Sequence, residues 1–236
     1  MAMTTTIRTE SPVEGIPPQL RLMWLASPAL PIGAFSYSEG LESAVEHGLV
    51  RDAETAGDWL SQQLALMARG DLAAMAAAVS AWRADDASAL TAVADWVRCT
   101  RDGAEARLQS EQMGQSLLVW LRGQGVSIIE DRLKSVGLPH YVIVMALALS
   151  SIELPLDQLL QGQAFGWAEN QVQAALKAVP LGQSAGQRVL ARLAAEIPAA
   201  VQLAIETPLQ QRQLFAPMLS ILAARHEVQY SRLFRS

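Results

Sequence analysis

Apolar positions recur along this chain at helical spacing. Ala56, Trp59, Leu60, Leu64 and Met67 share one face of a helix that Asp52 can cap and Gly70 can end after Arg69. Asp71 reads as the cap of the next helix, through about Trp82. After the break at Asp85, Asp86 and Ser88, a new stripe runs Leu90, Val93, Trp96 and Val97. Met113, Leu117, Leu118 and Leu121 form another before Gly123 and Gly125. From Tyr141 to Leu149 the chain is apolar nearly all round, so Leu138-Pro139 is expected to open a central buried helix through about Ser151. Pro155, placed as a first-turn proline, opens a long helix to about Val179, stopped by Pro180 and Gly182. A further helix is expected from about Gln183 to Ile197, and a last one from near Phe215.

Strand signals are missing: no sustained alternation of period two, and no Asn-Gly or Asp-Gly turn. Connections are short, which makes neighbouring helices pack mostly antiparallel. The expected architecture is all-α, a single-domain bundle of about ten mostly antiparallel helices over residues 16–224. A flexible N-terminal tail (1–15) precedes it, and a C-terminal partner-docking tail (225–236) follows.

Composition narrows the class further. The 236 residues are 51% hydrophobic and 17% charged, which suits a folded chain and leaves few charges to cover its surface. Positive mean hydropathy on so few charges suggests that part of the apolar face is shared with a partner. The net charge of −5 argues against nucleic acid as the main partner. No apolar run approaches the roughly 20 residues of a membrane span, and the N-terminus lacks the apolar core of a secretory signal. The single Cys99 rules out an internal disulfide and fits a reducing, cytoplasmic setting. It lies among apolar residues and reads as a small core residue.

The familiar chemical signatures are missing. There is no GxxxxGK[ST] phosphate loop, no GxSxG elbow, and Gly123-Gln124-Gly125 follows a helix without a third glycine. His226-Glu227 begins like HExxH, but Tyr230 stands where the second histidine belongs. His47, His140 and His226 are far apart, so no resident metal and no cofactor is expected. Asp85-Asp86 and Glu130-Asp131 read as solvated caps.

Three segments differ from ordinary core. In Ala26–Gly48, Pro28 and Pro31 break a helix, and Ser36 with Glu39 has the spacing of a capping box that starts a helix near Tyr37. A well-made turn accounts for each residue, yet Phe35 and Tyr37 are aromatic in a polar turn. In Phe165–Leu190, Glu169, Gln173 and Lys177 share a helix face. With Asn170, Gln171, Gln183, Gln187 and Arg188 this segment is either a solvated face or a polar interface. At the C-terminus, Tyr230, Leu233 and Phe234 would share one face of a helix, among Arg225, Arg232 and Arg235. Aromatics with arginine are the composition of binding hot spots, and a self-docked terminal helix is the alternative.

Together these segments resemble the UreF family of urease accessory proteins. Its hallmarks are SPxLPIGxFSYSxGLE, WxENQVxAAxKAVPLGQxxGQR and RHExQYSRLFRS. They stand here at Ser27–Glu42, Trp167–Arg188 and Arg225–Ser236, in that order. The resemblance covers essentially all of the chain after about Leu20, and the family's all-α fold agrees with the periodicity. It implies a non-enzymatic chaperone that binds a UreD/UreH-type accessory protein and recruits the GTPase UreG for nickel insertion into apo-urease. It also implies a homodimer. By resemblance, the partner-binding residues are Arg225, His226, Glu227, Tyr230, Arg232, Leu233, Phe234 and Arg235, with Ser36, Tyr37, Glu39 and Glu42. A central family pattern, RETxELRxExxxMG, is altered here: Gly103, Ala106 and Gln109 replace the commoner Thr, Leu and Glu. An interior Gly103 would cost its helix about 0.5–1 kcal/mol, and the lost acid at Gln109 would weaken a charged contact.

Two other functions compete with the adaptor. One is a GTPase activator supplying a catalytic arginine, with Arg107, Arg188 and Arg232 as candidates. The other is a helical enzyme using Glu169, Asn170 and Lys177.

Overall fold

Two prolines open the first helix. Pro17 caps and Pro18 begins helix α1 (Pro18–Ala26), where a missing N–H costs nothing. The computed structural model describes residues 15–101, 103–125, 133–134, 136–137 and 139–235. The N-terminal tail over 1–14, the Glu130-Asp131 pair and Leu138 lie outside the described residues. After α1 come a 3-10 turn at Ala34–Ser36, α2 (Leu41–Glu46), α3 (Ala53–Arg69), α4 (Asp71–Arg83) and α5 (Ala87–Cys99). Then follow α6 (Ala104–Gly123), α7 (Tyr141–Ser150), α8 (Leu156–Ala178), α9 (Gln183–Glu206) and α10 (Pro217–Glu227). The fold is a single all-α domain, with no strand among the described residues.

Local chemistry explains most of the boundaries. Asp52 accepts the Thr55 N–H while the Thr55 hydroxyl accepts from the Asp52 N–H, a complete capping box at α3. Asp86 accepts from the Ser88 and Ala89 amides at α5. The core is built around α7, in which every residue from Val142 to Leu149 is buried. α4 and α6 flank it, α9 packs on α8 and α3, and α1 lies on α8. The Val179–Gly182 connection is short enough to fold α9 directly back along α8. α6 reaches α7 closely because Gly114 leaves room: a Cβ there would overlap the Pro139 carbonyl oxygen.

Several expectations need correction. Asp71 does not cap α4; it is that helix's first residue, and Arg101 holds its carboxylate at 2.8 and 3.0 Å. Gly103 is the cap residue before α6 rather than interior, so no interior penalty arises. α7 begins at Tyr141 with His140 as its cap, and Pro155 precedes α8 as its cap. α9 runs through Pro198 to Glu206, past the expected end. Pro198 is exposed, and the stripe Val189, Leu193, Ile197, Val201 and Ala204 stays buried on the other side. Packing of that stripe outweighs one lost backbone bond. Cys99 is exposed at the end of α5 rather than in the core. The Ala53–Arg83 stretch is long and apolar enough to span a membrane, although no such segment was expected. Its most apolar window is 61% buried inside the bundle, and it bends at Gly70, where α3 gives way to α4. That is the profile of core helices.

Candidate functional site

The chain's C-terminal segment crosses the bundle as a strap. Near its start the Gln213 N–H donates to the Arg69 carbonyl at 3.1 Å. α10 then seats Leu219 over Gly40, where a Cβ would come within 2.6 Å of the leucine methyl. Gly40 also has φ +83, so the position needs glycine for both reasons. Arg225, His226 and Glu227 form the last turn of α10. Beyond it the chain is not helical, and the expected shared face does not form. Phe234 is buried, Leu233 is exposed and Tyr230 is fully exposed. Phe234 packs with Leu41, Val50, Ala174 and Leu222, and the Lys177 ammonium sits 5.9 Å above its ring.

Glu42 holds the strap in place. It is buried on α2, and its Oε1 accepts the Leu233 N–H at 2.7 Å while Oε2 accepts the Phe234 N–H at 2.9 Å. The His226 ring, with no exposure, has Nε2 at 3.1 Å from Glu42 Oε2 and Nδ1 at 3.3 Å from Glu105 Oε2. Each ring nitrogen thus faces a carboxylate oxygen, and the imidazole bridges Glu42 and Glu105. Arg232 reaches Glu105 Oε1 at 3.0 Å, and the Arg235 N–H donates to the Ser36 carbonyl at 2.7 Å. Residues 42, 105, 226 and 232 thus form one network that joins α2, α6 and the strap.

Beneath the strap lies a cleft of about 290 Å³ with mostly apolar walls and a polar floor. Glu39 is at the floor. Its Oε2 accepts the Trp167 indole N–H at 3.0 Å, and its Oε1 accepts from Gln109 Nε2 at 3.2 Å. Burial pushes the Glu39 carboxyl pKa up, and these two donors oppose that shift. The capping-box expectation fails for the same reason. Ser36 ends a 3-10 turn, Glu39 takes φ +52, and α2 starts only at Leu41, because the Glu39 side chain is turned into the cleft. Gln109 is no loss at this point: an acid there would face Glu39, whereas its amide donates to it. Tyr141 donates to Gln163 Oε1 at 3.4 Å, and burial, then the Glu39 and Asp71 charges, push its pKa up.

The structure gathers the first and last segments around the strap, and α8 contributes Lys177 beneath Phe234. Tyr37 is buried and donates to Gln112 Oε1 at 2.9 Å. Asn170 Nδ2 donates to the Ala34 carbonyl at 3.1 Å, tying α8 to the turn, and Glu169 is half-buried nearby on the same helix. Gln183, Gln187 and Arg188 are exposed on the first turns of α9, away from these bonds. Sequence reasoning missed Glu105, Trp167 and Gln109 as site residues. Each meets its partner across about 70 or more positions of chain, which leaves no local signal. The histidines do not converge: His47 Nδ1 faces the Ser43 carbonyl, His140 Nδ1 faces Ser110 Oγ, and His226 serves the strap. Burial, then the Arg101 charge, pushes the His140 pKa down. No group of three His, Cys, Asp or Glu among the described residues is placed to hold a metal ion.

Fold and site together define an all-helical protein whose own C-terminal strap is latched over a mostly apolar cleft with a polar floor. The UreF family profile matches residues 50–194. A urease accessory protein UreF from Polaromonas sp. is 55% identical over 219 residues, covering 92% of this chain and 94% of that protein. The UreF of Paracidovorax citrulli is 55% identical over 222 residues, covering 92% and 88%. That of Methylibium petroleiphilum is 52% identical over 234 residues, covering 98% and 99%. The chain belongs to the UreF family of urease accessory proteins.

Proposed function

We propose that this protein is a non-catalytic adaptor of urease maturation. It binds a UreD/UreH-type accessory protein, recruits the GTPase UreG, and so couples GTP hydrolysis to nickel delivery into apo-urease. It works in the cytoplasm as a homodimer. Family membership supports a role in urease maturation. The observation that carries the adaptor role is the strap: it spends Phe234 and His226 on the body while leaving Phe215, Val228, Tyr230 and Leu233 exposed beside Arg225, Arg232 and Arg235. Exposed aromatic and aliphatic side chains among arginines suit a docking surface, and a rigid latch lowers the entropy lost on binding.

The test is co-expression with UreD and UreG, sized by light scattering. The variants are Tyr230→Ala with Leu233→Ala, which leaves the latch intact, and deletion of residues 226–236. Loss of a partner from both variants, with the intact chain forming a two-fold complex, supports the reading. Retention of both partners by both variants overturns the tail assignment. Supply of a catalytic arginine is tested by single-turnover GTP hydrolysis of UreG. Arg232 is exposed but engaged with Glu105, whereas Arg107 and Arg188 are exposed candidates without such an ion pair among the described residues. A stimulation below about tenfold eliminates an arginine finger.

A further inference from the structure

The cleft beneath the strap has features that adaptor function does not require. Glu39 at its floor is a half-buried carboxylate whose side-chain hydrogen bonds, among the described residues, come from neutral donors, the Trp167 indole and the Gln109 amide. Arg101 also lines the cleft, but its guanidinium is bound in bidentate fashion to Asp71. Two carboxylate oxygens offer about four acceptor sites, and two are used. Glu39 therefore has room for a further donor, and among the described residues no cation is hydrogen-bonded to it.

A second, independent observation lies on the same floor. Gln163 is only 7% exposed, and its Oε1 accepts from Tyr141. Its Nε2 is buried with no hydrogen-bond partner, and Gln163 is one of the residues that line the cleft. Buried amide donors are rarely left unpaired. The backbone agrees: Glu39 is one of two non-glycine residues with positive φ among those described, a strain that tends to persist where it serves a site. Above the floor the walls are soft and apolar, from Leu25, Met67, Leu72, Met75 and Met113.

We propose that this cleft binds a small organic cation: a donor-rich positive head on Glu39, a hydrogen-bond acceptor for Gln163 Nε2, and an apolar body against the methionines. An amidinium, guanidinium or ammonium head fits this description. A divalent metal does not, because no three His, Cys, Asp or Glu among the described residues are grouped to hold one. The site is independent of the adaptor reading, since none of these contacts uses the exposed face of the strap.

The probe is 4-carbamoylbenzamidine, which carries an amidinium, an aromatic body and a carbonyl acceptor. It is compared with neutral terephthalamide of the same shape. Binding to the full-length protein is followed by NMR on the Trp167 indole N–H, assigned with Trp167→Phe. The expected result is a saturable shift of that resonance below about 10 mM, with the cation at least about tenfold tighter than the neutral analogue. Glu39→Gln should erase that preference, and Gln163→Leu should weaken the carbamoyl probe more than plain benzamidine. Absence of saturable binding, or equal affinity for cation and neutral analogue in the unsubstituted protein, overturns the proposal. That comparison needs no variant, so it stands whether or not Glu39→Gln folds.

Discussion

Replacing Glu42 with Gln separates the strap from the body. The native carboxylate accepts the Leu233 and Phe234 amides at 2.7 and 2.9 Å and faces His226 Nε2 at 3.1 Å. Hydrogen bonds to a charged group contribute about 1.5–3 kcal/mol each. Glutamine keeps the shape but has one oxygen, so its NH₂ group must face a donor from the strap. At least one charge-assisted bond is lost, and another is weakened to the neutral kind. The cost to strap docking is about 2–4 kcal/mol, limited because the freed amides can turn to water. At about 1.4 kcal/mol per tenfold, opening of residues 228–235 should rise about thirty- to seven-hundred-fold. Hydrogen–deuterium exchange of a C-terminal peptide reads this directly. Amides of α7 and α8 should keep their protection, since α7 is buried independently of the strap. Unchanged exchange at Leu233 and Phe234, within about threefold, refutes the latch. So does an equal loss of protection in α7, which would mean that the strap is not a separable unit.

Three further outcomes follow from packing and charge. Burial raises the Glu39 pKa, so the folded chain holds that proton more tightly than the unfolded chain; stability therefore falls as pH rises from the unfolded value of about 4.5 through the raised folded value. Glu39→Gln should accordingly raise the melting temperature at pH 7–8, with a gain that vanishes near pH 4. Gly114→Ala should destabilise by about 3 kcal/mol or more in urea unfolding, because the new methyl overlaps the Pro139 carbonyl and rigid backbone must move. Pro198→Ala should stabilise by about 1–3 kcal/mol by restoring an intrahelical donor at an exposed position of α9, read from the denaturant midpoint.

The helices themselves were legible because their signals are local. The capping box at Asp52, the break at Pro180 and the all-round apolar run before Ser150 each need only a few neighbouring residues to be read. Errors arose where a distant partner overrode a local rule. Ser36 and Glu39 have capping-box spacing, but Trp167 and Gln109 draw the Glu39 carboxylate into the cleft and move the helix start to Leu41. Asp71 has cap-like spacing, but Arg101 takes its carboxylate. Tyr230, Leu233 and Phe234 have helical spacing, but Glu42 binds two consecutive amides, which the chain offers from a bend rather than a helix. Pro198 reads as a stop, but one continuous buried stripe carries α9 past it.

Helix identity, the all-α class and the family motifs are therefore properties of short stretches, set by periodicity, caps and breakers acting over one or two turns. The latch at Glu42, the pairing of His226 with Glu105 and the half-satisfied floor of the cleft are not. They join residues some 70 to 190 positions apart, and burial then decides which polar groups must find each other. Only folding removes water from those groups, and a hydrogen bond that is optional in an exposed peptide becomes obligatory once its alternative is an unpaired charge in the core.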